Sequence, residues 1–489
     1  MNIEASDAVA LAPLLLISGA GCLALLLDAF TKSREPALRL AQLGCLAALA
    51  AVVGQWTGAE AGPPILAGMW TVDRMALFLD ALFLASGLVT LLVAGPFMRE
   101  HDFEQGEPHA LVLFSVAGMI TVVHAAHLLS LLIGIETMSL AAYLLVASWR
   151  RQALGAEGAL KYLLLGAFAT AFMVYGTALI YGTTGAQMSY AGVAAAANRA
   201  SGNPLFIIGV YFLLAGMLFK LAAVPFHMWV PDAYQGAPTP VTGLMAAGIK
   251  AAAVGGLVRL LVAVFADPGL ALGHSGWVRV LGGLAFLTMT WGNLAAIRQE
   301  NVKRMLAYSS IAHAGYLLLG LVALGQQVDG AQPAILVYLG AYVFATLGAF
   351  AVVAWVGRRD DERLLVRDWA GMARTRPAVA LAMTVLLLSL AGVPPTGGFF
   401  GKFYLFRAAV QSPDLVWLVV AAVLNSVVSV YYYLRIVVAM YFRDPVRSWQ
   451  PYPSAGMAVA LLAAVLVVLA LGVVPGPVID LAAGGLLLR

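Results

Sequence analysis

Apolar runs of eighteen or more residues recur along this chain from one end to the other, separated by short stretches that hold most of the charge. A helix of that length crosses a hydrocarbon layer of roughly 30 Å. The pattern predicts fourteen spans, at approximately 8–30, 37–56, 74–98, 109–127, 128–149, 157–182, 203–225, 239–266, 277–297, 303–325, 332–357, 378–411, 414–442 and 456–475. Spans four and five are nearly fused, and without a turn between them the count is thirteen. The expected fold class is an all-α polytopic membrane protein of about fourteen transmembrane helices. No basic stretch precedes the first span, and Asp28 interrupts any A-x-A-like cleavage pattern, so the reading is a retained helix and not a signal peptide.

Loop charges orient the spans. With the N-terminus outside, the inside loops hold Lys32, Arg34, Arg39, Arg99, Arg150, Arg151, Arg298, Lys303, Arg304, Arg358, Arg359, Arg363, Arg367, Arg374, Arg376, Arg443 and Arg447, and the outside holds Arg74, Arg199, Arg279, Arg407 and Arg489. Seventeen against five is a strong positive-inside bias. Fusing spans four and five inverts every later loop and destroys it, which favours fourteen spans with both termini outside.

Two spans are interrupted. Span seven ends in Ala222-Ala223-Val224-Pro225-Phe226-His227-Met228-Trp229-Val230-Pro231-Asp232, and span twelve contains Ala391-Gly392-Val393-Pro394-Pro395-Thr396-Gly397-Gly398. Proline removes a backbone donor and clashes with the preceding turn, so Pro225, Pro394 and Pro395 mark helix breaks. Non-helical backbone at membrane depth survives only where protein or a wet cavity satisfies it. The breaks are five spans apart. Five is odd, so a five-helix unit repeated once is inverted, and paired broken helices in inverted halves point to an ion pathway. Two unrelated proline kinks are the plainer alternative.

Against this apolar background the ionisable residues inside spans stand out. The chain uses twenty-two arginines and only six lysines, yet Lys220, Lys250 and Lys402 fall within spans seven, eight and twelve. Each costs at least about 2.5–3.5 kcal/mol at the bilayer centre. Arginine stays protonated everywhere, whereas a lysine in a dry site can lose its proton. Arginine in the loops with lysine inside therefore suits proton exchange; snorkelling to an interface is the competing reading, strongest for Lys402 after its break. Glu136 lies in span five, and Lys220 is the candidate partner that keeps it ionised. Such a pair is an electrostatic switch, because withdrawing the carboxylate removes the support that holds the lysine's proton; a static ion pair is the alternative. His227 in the first break and His313 in span ten have the chemistry of neutral-pH relays, against structural hydrogen bonding. Tyr308, Ser309 and Ser310 line the same path or act as packing hydroxyls. Asp80 and Asp28 carry no assigned role, and snorkelling explains Arg259 and Arg435. Together Glu136, Lys220, Lys250 and Lys402 form a row on four spans.

Composition excludes other classes. Of 489 residues, 62% are hydrophobic and 11% are Asp, Glu, Lys or Arg, against about 25% charge in soluble domains. A net charge of +4 spread over short loops is no nucleic-acid signature. Cys22 and Cys45 both lie in apolar helices, and no CxxC or Cys/His cluster is available for iron–sulfur or zinc. His124 and His127 lie three apart near a helix end, where packing or hydrogen bonding explains them better than a metal. No GxGxxG follows a strand, so the chain itself is expected to bind no cofactor. The segment 358–376 reads as a solvated inside loop with room for a short surface helix, and 189–200 as a small-residue outside loop.

The stretch Phe219-Lys220-Leu221-Ala222-Ala223-Val224-Pro225-Phe226-His227-Met228-Trp229-Val230-Pro231-Asp232-Ala233-Tyr234-Gln235-Gly236-Ala237-Pro238-Thr239-Pro240-Val241-Thr242, with Ile249-Lys250-Ala251-Ala252, resembles the signature of the antiporter-like membrane subunits of NADH-quinone oxidoreductase (complex I), and is most similar to the subunit N family. Gly134 to Tyr143, Val302 to Tyr316 and Leu390 to Phe406 fit as well. Lysine at 402 departs from the glutamate usual in subunit M, and a sequence that stops at Arg489, just past span fourteen, disfavours subunit L with its expected C-terminal lateral helix. The resemblance implies an N-terminal three-helix segment (1–108), inverted five-helix repeats at 109–266 and 277–442, and a C-terminal helix (456–489). It implies Glu136 and Lys220 as the pair on the uptake side, Lys250 as central relay and Lys402 as exit residue. It implies a proton-translocating subunit of a bacterial inner-membrane respiratory complex, driven by quinone reduction elsewhere, with flavin, iron–sulfur clusters and quinone held by partner subunits. Those partners would include a second antiporter-like subunit and small helical subunits. A subunit of a multi-subunit sodium/proton antiporter, which shares these motifs, is the alternative, and a scaffold whose charges are buried pairs is a third.

Overall fold

The computed structural model describes residues 5–58, 64–149, 152–273, 276–359, 361–446, 452 and 454–485. Arg150, Arg151, Arg447 and Arg489 of the orientation argument lie outside the described residues. Among those described the chain is helical, with only isolated β-bridges between loops. Among the described residues thirteen helices are long and apolar enough to cross a membrane: Ala12–Phe30, Glu35–Gly58, Arg74–Glu100, Glu107–His124, Leu128–Val146, Ala153–Thr183, Pro204–Leu221, Thr239–Ala263, Trp277–Ile297, Val302–Gly325, Ala331–Val356, Pro413–Phe442 and Ala455–Val473. They correspond to spans one to eleven, thirteen and fourteen. The expected span twelve is two shorter helices, Pro377–Ala391 and Gly397–Ala409, joined through the predicted break.

Spans four and five are separate helices, parted by residues 125–127, with the His127 side chain capping Leu129 N–H. Small residues let them run antiparallel in close contact: a Cβ on Gly118 would meet Met138 backbone at 2.3 Å, and one on Gly134 would meet Val122 N at 2.8 Å. Spans nine and ten repeat the device, Gly292 lying against Ala312 and Gly315 against Met289.

Both broken helices end alike. Ala222 and Gly392 take left-handed backbone (φ 64° and 86°). Each donates its N–H to the carbonyls three and four residues back, and Ala223 and Val393 reach Leu218 and Leu388. Pro225 and Pro395 follow three residues later. The freed donors find hydroxyls, Val224 N–H on Thr288 Oγ1 (3.0 Å) and Gly398 N–H on Ser389 Oγ (3.0 Å), as backbone in a lipid-facing fold requires.

Burial locates the centre. In spans eight, ten and eleven 94% of the apolar window is buried, against 28% in span one. Span eleven packs on spans three, eight, ten, fourteen and both halves of span twelve. The stretch at 189–200, expected to be a loop, is a helix, Tyr190–Ala200, with Val193 and Ala197 packed inward. The segment 358–376 carries two single-turn helices, Val366–Trp369 and Met372–Thr375.

Because the Gly118 contact is with backbone, Gly118→Val cannot be relieved by a rotamer change. Overpacking of this kind costs about 1–3 kcal/mol or more. Thermal unfolding of the detergent-solubilised protein is expected to move down by several degrees, and an unchanged midpoint would contradict the antiparallel packing of spans four and five.

Candidate functional site

Lys220, Lys250 and Lys402 are 2%, 1% and 5% exposed, so none of them snorkels. Among the described residues none has a carboxylate within the 4.0 Å of an ion pair. What holds each ammonium is a set of neutral dipoles.

Lys220 sits in the last turn of the first half of span seven. Carbonyls converge there and the helix dipole is negative. Its Nζ donates to the Tyr143 hydroxyl (3.1 Å) and lies 5.4 Å from the centres of the Tyr143 and Phe219 rings. Tyr143 reaches it because Gly166 leaves room; a Cβ there would fall 2.0 Å from the Tyr143 oxygen. Glu136, two turns before Tyr143 on span five, is partly buried and accepts from Thr170 Oγ1 at 2.6 Å. The expected direct Glu136–Lys220 pair is therefore not formed. The two remain within Coulombic reach, and Glu136 acts in the same way on Tyr143, the hydroxyl that holds Lys220.

Lys250 follows a π-helical turn, Met245–Ile249. Such turns leave carbonyls unpaired inside a helix, and here the Tyr342 hydroxyl donates to Ala246 O (3.0 Å). Lys250 Nζ donates to both the carbonyl and the Oγ of Ser310 at 2.5 Å. Tyr342 Oη and Ser310 Oγ are 3.0 Å apart. With the tyrosine proton on Ala246 O and the serine oxygen accepting from Lys250, the serine proton is left to point at Tyr342.

His313 lies one turn beyond Ser310. Its Nδ1 is 2.6 Å from the Tyr338 hydroxyl and its Nε2 3.3 Å from that of Tyr433, which also bonds Ser309. A cavity of about 10 Å³ lies between His313 and Lys402, at the lower limit for one water. Lys402 reaches back across the second break: its Nζ donates to Ala391 O (2.8 Å), at the C-terminus of the first half-helix, and to Ser426 Oγ (2.8 Å). Gly392 makes the space, since a Cβ on it would stand 2.8 Å from the Lys402 stem.

His227 is half-buried in the first break, its ring edge-on to Trp291 with centres 6.1 Å apart; no hydrogen bond joins it to Lys220 or Lys250. The row thus falls into separate hydrogen-bonded sets: Lys220 with Tyr143, Lys250 with Ser310 and Tyr342, His313 with Tyr338 and Tyr433, and Lys402 with Ala391 and Ser426, while Glu136 is bonded to Thr170.

Of the other charges, Arg259, Arg435 and Lys303 depart from the sequence reading, while Asp80 and His124 make the kind of hydrogen bond it allowed. Arg259 does not snorkel. It is 4% exposed, pairs with Asp73 at 2.7 Å and donates to Val123 O at 2.5 Å. Arg435 donates to Ile297 O (3.1 Å) and Gln299 O at the end of span nine. Asp80 is fully buried against His124 (2.7 Å), whose ring stacks on Trp70, so His124 hydrogen-bonds rather than joining His127 on a metal. Among the described residues no group of three or more His, Cys, Asp or Glu is arranged for a metal ion. Lys303, assigned to a loop, is 0% exposed.

Residues 125–429 match the family described as NADH:quinone oxidoreductase/Mrp antiporter, TM. NADH-quinone oxidoreductase subunit N 1 of Sorangium cellulosum is 43% identical, the alignment covering 96% of each chain. Subunit N of Trichlorobacter lovleyi is 40% identical over 96% of this chain and 95% of its own. A chain of respiratory complex I from Thermus thermophilus superposes with a TM-score of 0.81 at 36% identity, covering 97% of this chain and 100% of that one. A chain of the Mrp complex from Dietzia shares the fold, with a TM-score of 0.84 at 21% identity over 97% of this chain and 96% of that one.

A buried ammonium without a counter-ion does not stabilise a fold. Lys220→Met keeps the side-chain length and removes the charge, so its unfolding midpoint in detergent is expected to equal or exceed that of the unsubstituted protein. A fall of several degrees would assign the lysine a structural role.

Proposed function

The chain belongs to the NADH:quinone oxidoreductase/Mrp antiporter family, among the subunit N proteins of NADH-quinone oxidoreductase, and from that premise we propose that its row of buried lysines carries protons across the membrane. The observation that supports this most directly is the state of Lys220, Lys250 and Lys402: each is 5% exposed or less and bonded to hydroxyls, carbonyls or both, with no carboxylate in contact. A scaffold built on buried ion pairs would have those carboxylates. An ammonium held only by neutral dipoles can release its proton without stranding an opposite charge.

In this reading Glu136 tunes Lys220 through Tyr143, Lys250 is the central station, and His313 links it to Lys402, with His227 a further candidate at the first break. The two breaks bring half-helix ends to the lysines, and their matching caps support reading 109–266 and 277–442 as inverted five-helix units, flanked by 1–108 and 456–489. Quinone reduction in partner subunits supplies the driving force, and flavin, iron–sulfur clusters and quinone are held there. The chain lies in the bacterial inner membrane with both termini outside, beside a second antiporter-like subunit and small helical subunits. The sodium/proton antiporter alternative is less favoured, because the curated relatives at 40–43% identity are subunit N proteins while the Mrp chain is 21% identical.

The test is proton pumping by reconstituted complex carrying Lys250→Ala. The complex is expected to assemble while proton translocation falls by about tenfold or more, in line with loss of a positioned acid–base group. Assembled complex that pumps at the unsubstituted rate would refute the reading, and pumping that requires sodium would favour the antiporter alternative.

A further inference from the structure

On the inside face, as the loop charges orient the chain, a cavity of about 540 Å³ opens between the end of span three, the start of span six and the 358–376 segment. Its lining includes the carboxylates Asp361 and Asp368, the cations Arg359, Arg363 and Arg367, and two further proton acceptors. His101 is 5% exposed and lines the cavity. Its Nδ1 is 3.0 Å from Phe97 O; a carbonyl only accepts, so Nδ1 carries the hydrogen and Nε2 is the acceptor, buried with no partner of its own. Glu362 is the second, its side chain 11% exposed.

Behind Glu362 stands Lys303. Its Nζ is 3.3 Å from Glu362 Oε1 and donates on the other side to Ala237 O at 2.7 Å. Thr239 Oγ1, at the first residue of span eight, donates to the same carboxylate oxygen at 3.0 Å. The carboxylate therefore sits at a helix N-terminus, where negative charge is favoured. Lys303 differs from Lys220, Lys250 and Lys402 in having this carboxylate partner, and the partner lies on the cavity side.

From Lys303 the way leads to Lys250. Ala237 ends the short helix Val230–Gly236 that carries Tyr234, and the buried Tyr234 hydroxyl lies against Ser310. Ser310 is the residue that holds Lys250 Nζ. Lys303 and Ser310 are seven residues apart on one face of span ten, roughly 10 Å along its axis.

We infer that Glu362 and Lys303 form the inner-face proton uptake site that feeds Lys250 through Tyr234 and Ser310. The inference rests on the pump reading and its orientation. Its steps balance. When the Lys303 ammonium yields a proton towards the free amine of Lys250, a hydronium ion from the cavity protonates the Glu362 carboxylate and leaves water behind. The O–H bond of that acid then breaks as an N–H bond forms on Lys303, restoring carboxylate and ammonium. One proton leaves the cavity for each that reaches Lys250, and no charge accumulates in the pair.

Reconstituted complex carrying Glu362→Gln tests this, with Glu362→Asp and Lys250→Ala in parallel. Glutamine keeps an oxygen for Thr239 and cannot ionise. Assembly is expected to persist, pumping to fall by about tenfold and to fail at a lower inside pH than in the unsubstituted complex, and Glu362→Asp to restore most of the rate. Unchanged pumping and pH profile in Glu362→Gln, where Lys250→Ala has lost pumping, overturns the uptake site alone. Pumping by Lys250→Ala as well overturns the parent reading. Should Glu362→Gln fail to assemble, Gln152→Cys on the cavity wall decides with the pair intact: labelling by a membrane-impermeant thiol reagent from the inside, above the background of Cys22 and Cys45, is expected, and protection from that side overturns the inference.

Discussion

An ammonium group buried at membrane depth without a carboxylate beside it needs something else to hold its charge, and much of this architecture follows from how that is done. Lys402 donates to a carbonyl at the C-terminus of a half-helix, Lys220 occupies the last turn of another, and Lys250 takes a carbonyl and a hydroxyl from span ten. Insertion costs about 2.5–3.5 kcal/mol per lysine. A hydrogen bond to a charged group returns about 1.5–3 kcal/mol, and a helix terminus adds about 0.3–1 kcal/mol, more when partly buried. These magnitudes nearly cancel. The hydrogen bonds thus offset most of the cost of burying each ammonium, with no carboxylate needed. The breaks are the source of the half-helix ends, so prolines at 225, 394 and 395 and the lysines belong to one device.

Much of this was legible in the sequence. Period and length gave the spans, the proline clusters gave the breaks, and lysine in place of arginine marked the interior positions. What escaped depends on side-chain reach across helices. The step from Glu136 to Lys220 passes Tyr143, and that geometry turns on Gly166 of a third span leaving room. The π-turn before Lys250 has no composition signal, since its stability comes partly from the Tyr342 hydroxyl ninety-six residues away. Lys303 reads as a loop residue by its position beside Arg304, and only the fold of the 358–376 segment over it shows that it is buried. Arg259 and Asp73 sit far apart in sequence at the ends of different spans, where each alone looks like an interface anchor.

The two halves of the row are solved differently. Towards the second break hydroxyls are dense: those of Tyr338 and Tyr433 bracket His313, with Ser309 on Tyr433, and Ser310 joins Lys250 to the Tyr342 hydroxyl. Around the first break the contacts are sparser, and Glu136 acts on Lys220 by field rather than by contact. A field effect is graded with distance and polarity, so this end suits control of Lys220, while the hydroxyl-lined end suits conduction. The left-handed caps follow the same division. Gly392 both relaxes the backbone and leaves room for Lys402, whereas Ala222 holds the same conformation at roughly 1–2 kcal/mol, with no lysine stem against it.

Arginine and lysine are divided by what their charges must do. Arg259 is clamped by Asp73 and a carbonyl, and Arg435 closes two carbonyls at the end of span nine. A guanidinium has five donors in a fixed plane and keeps its proton under any condition, so it fits where several acceptors converge and the charge is permanent. An ammonium is a compact charge on a flexible stem, satisfied by one or two acceptors and able to leave them as a neutral amine. Placing arginine in the central row would require more acceptors than the half-helix ends offer. The residue choice matches the scarcity of acceptors around Lys220, Lys250 and Lys402, where each ammonium is held by the one or two hydroxyls and carbonyls its site supplies.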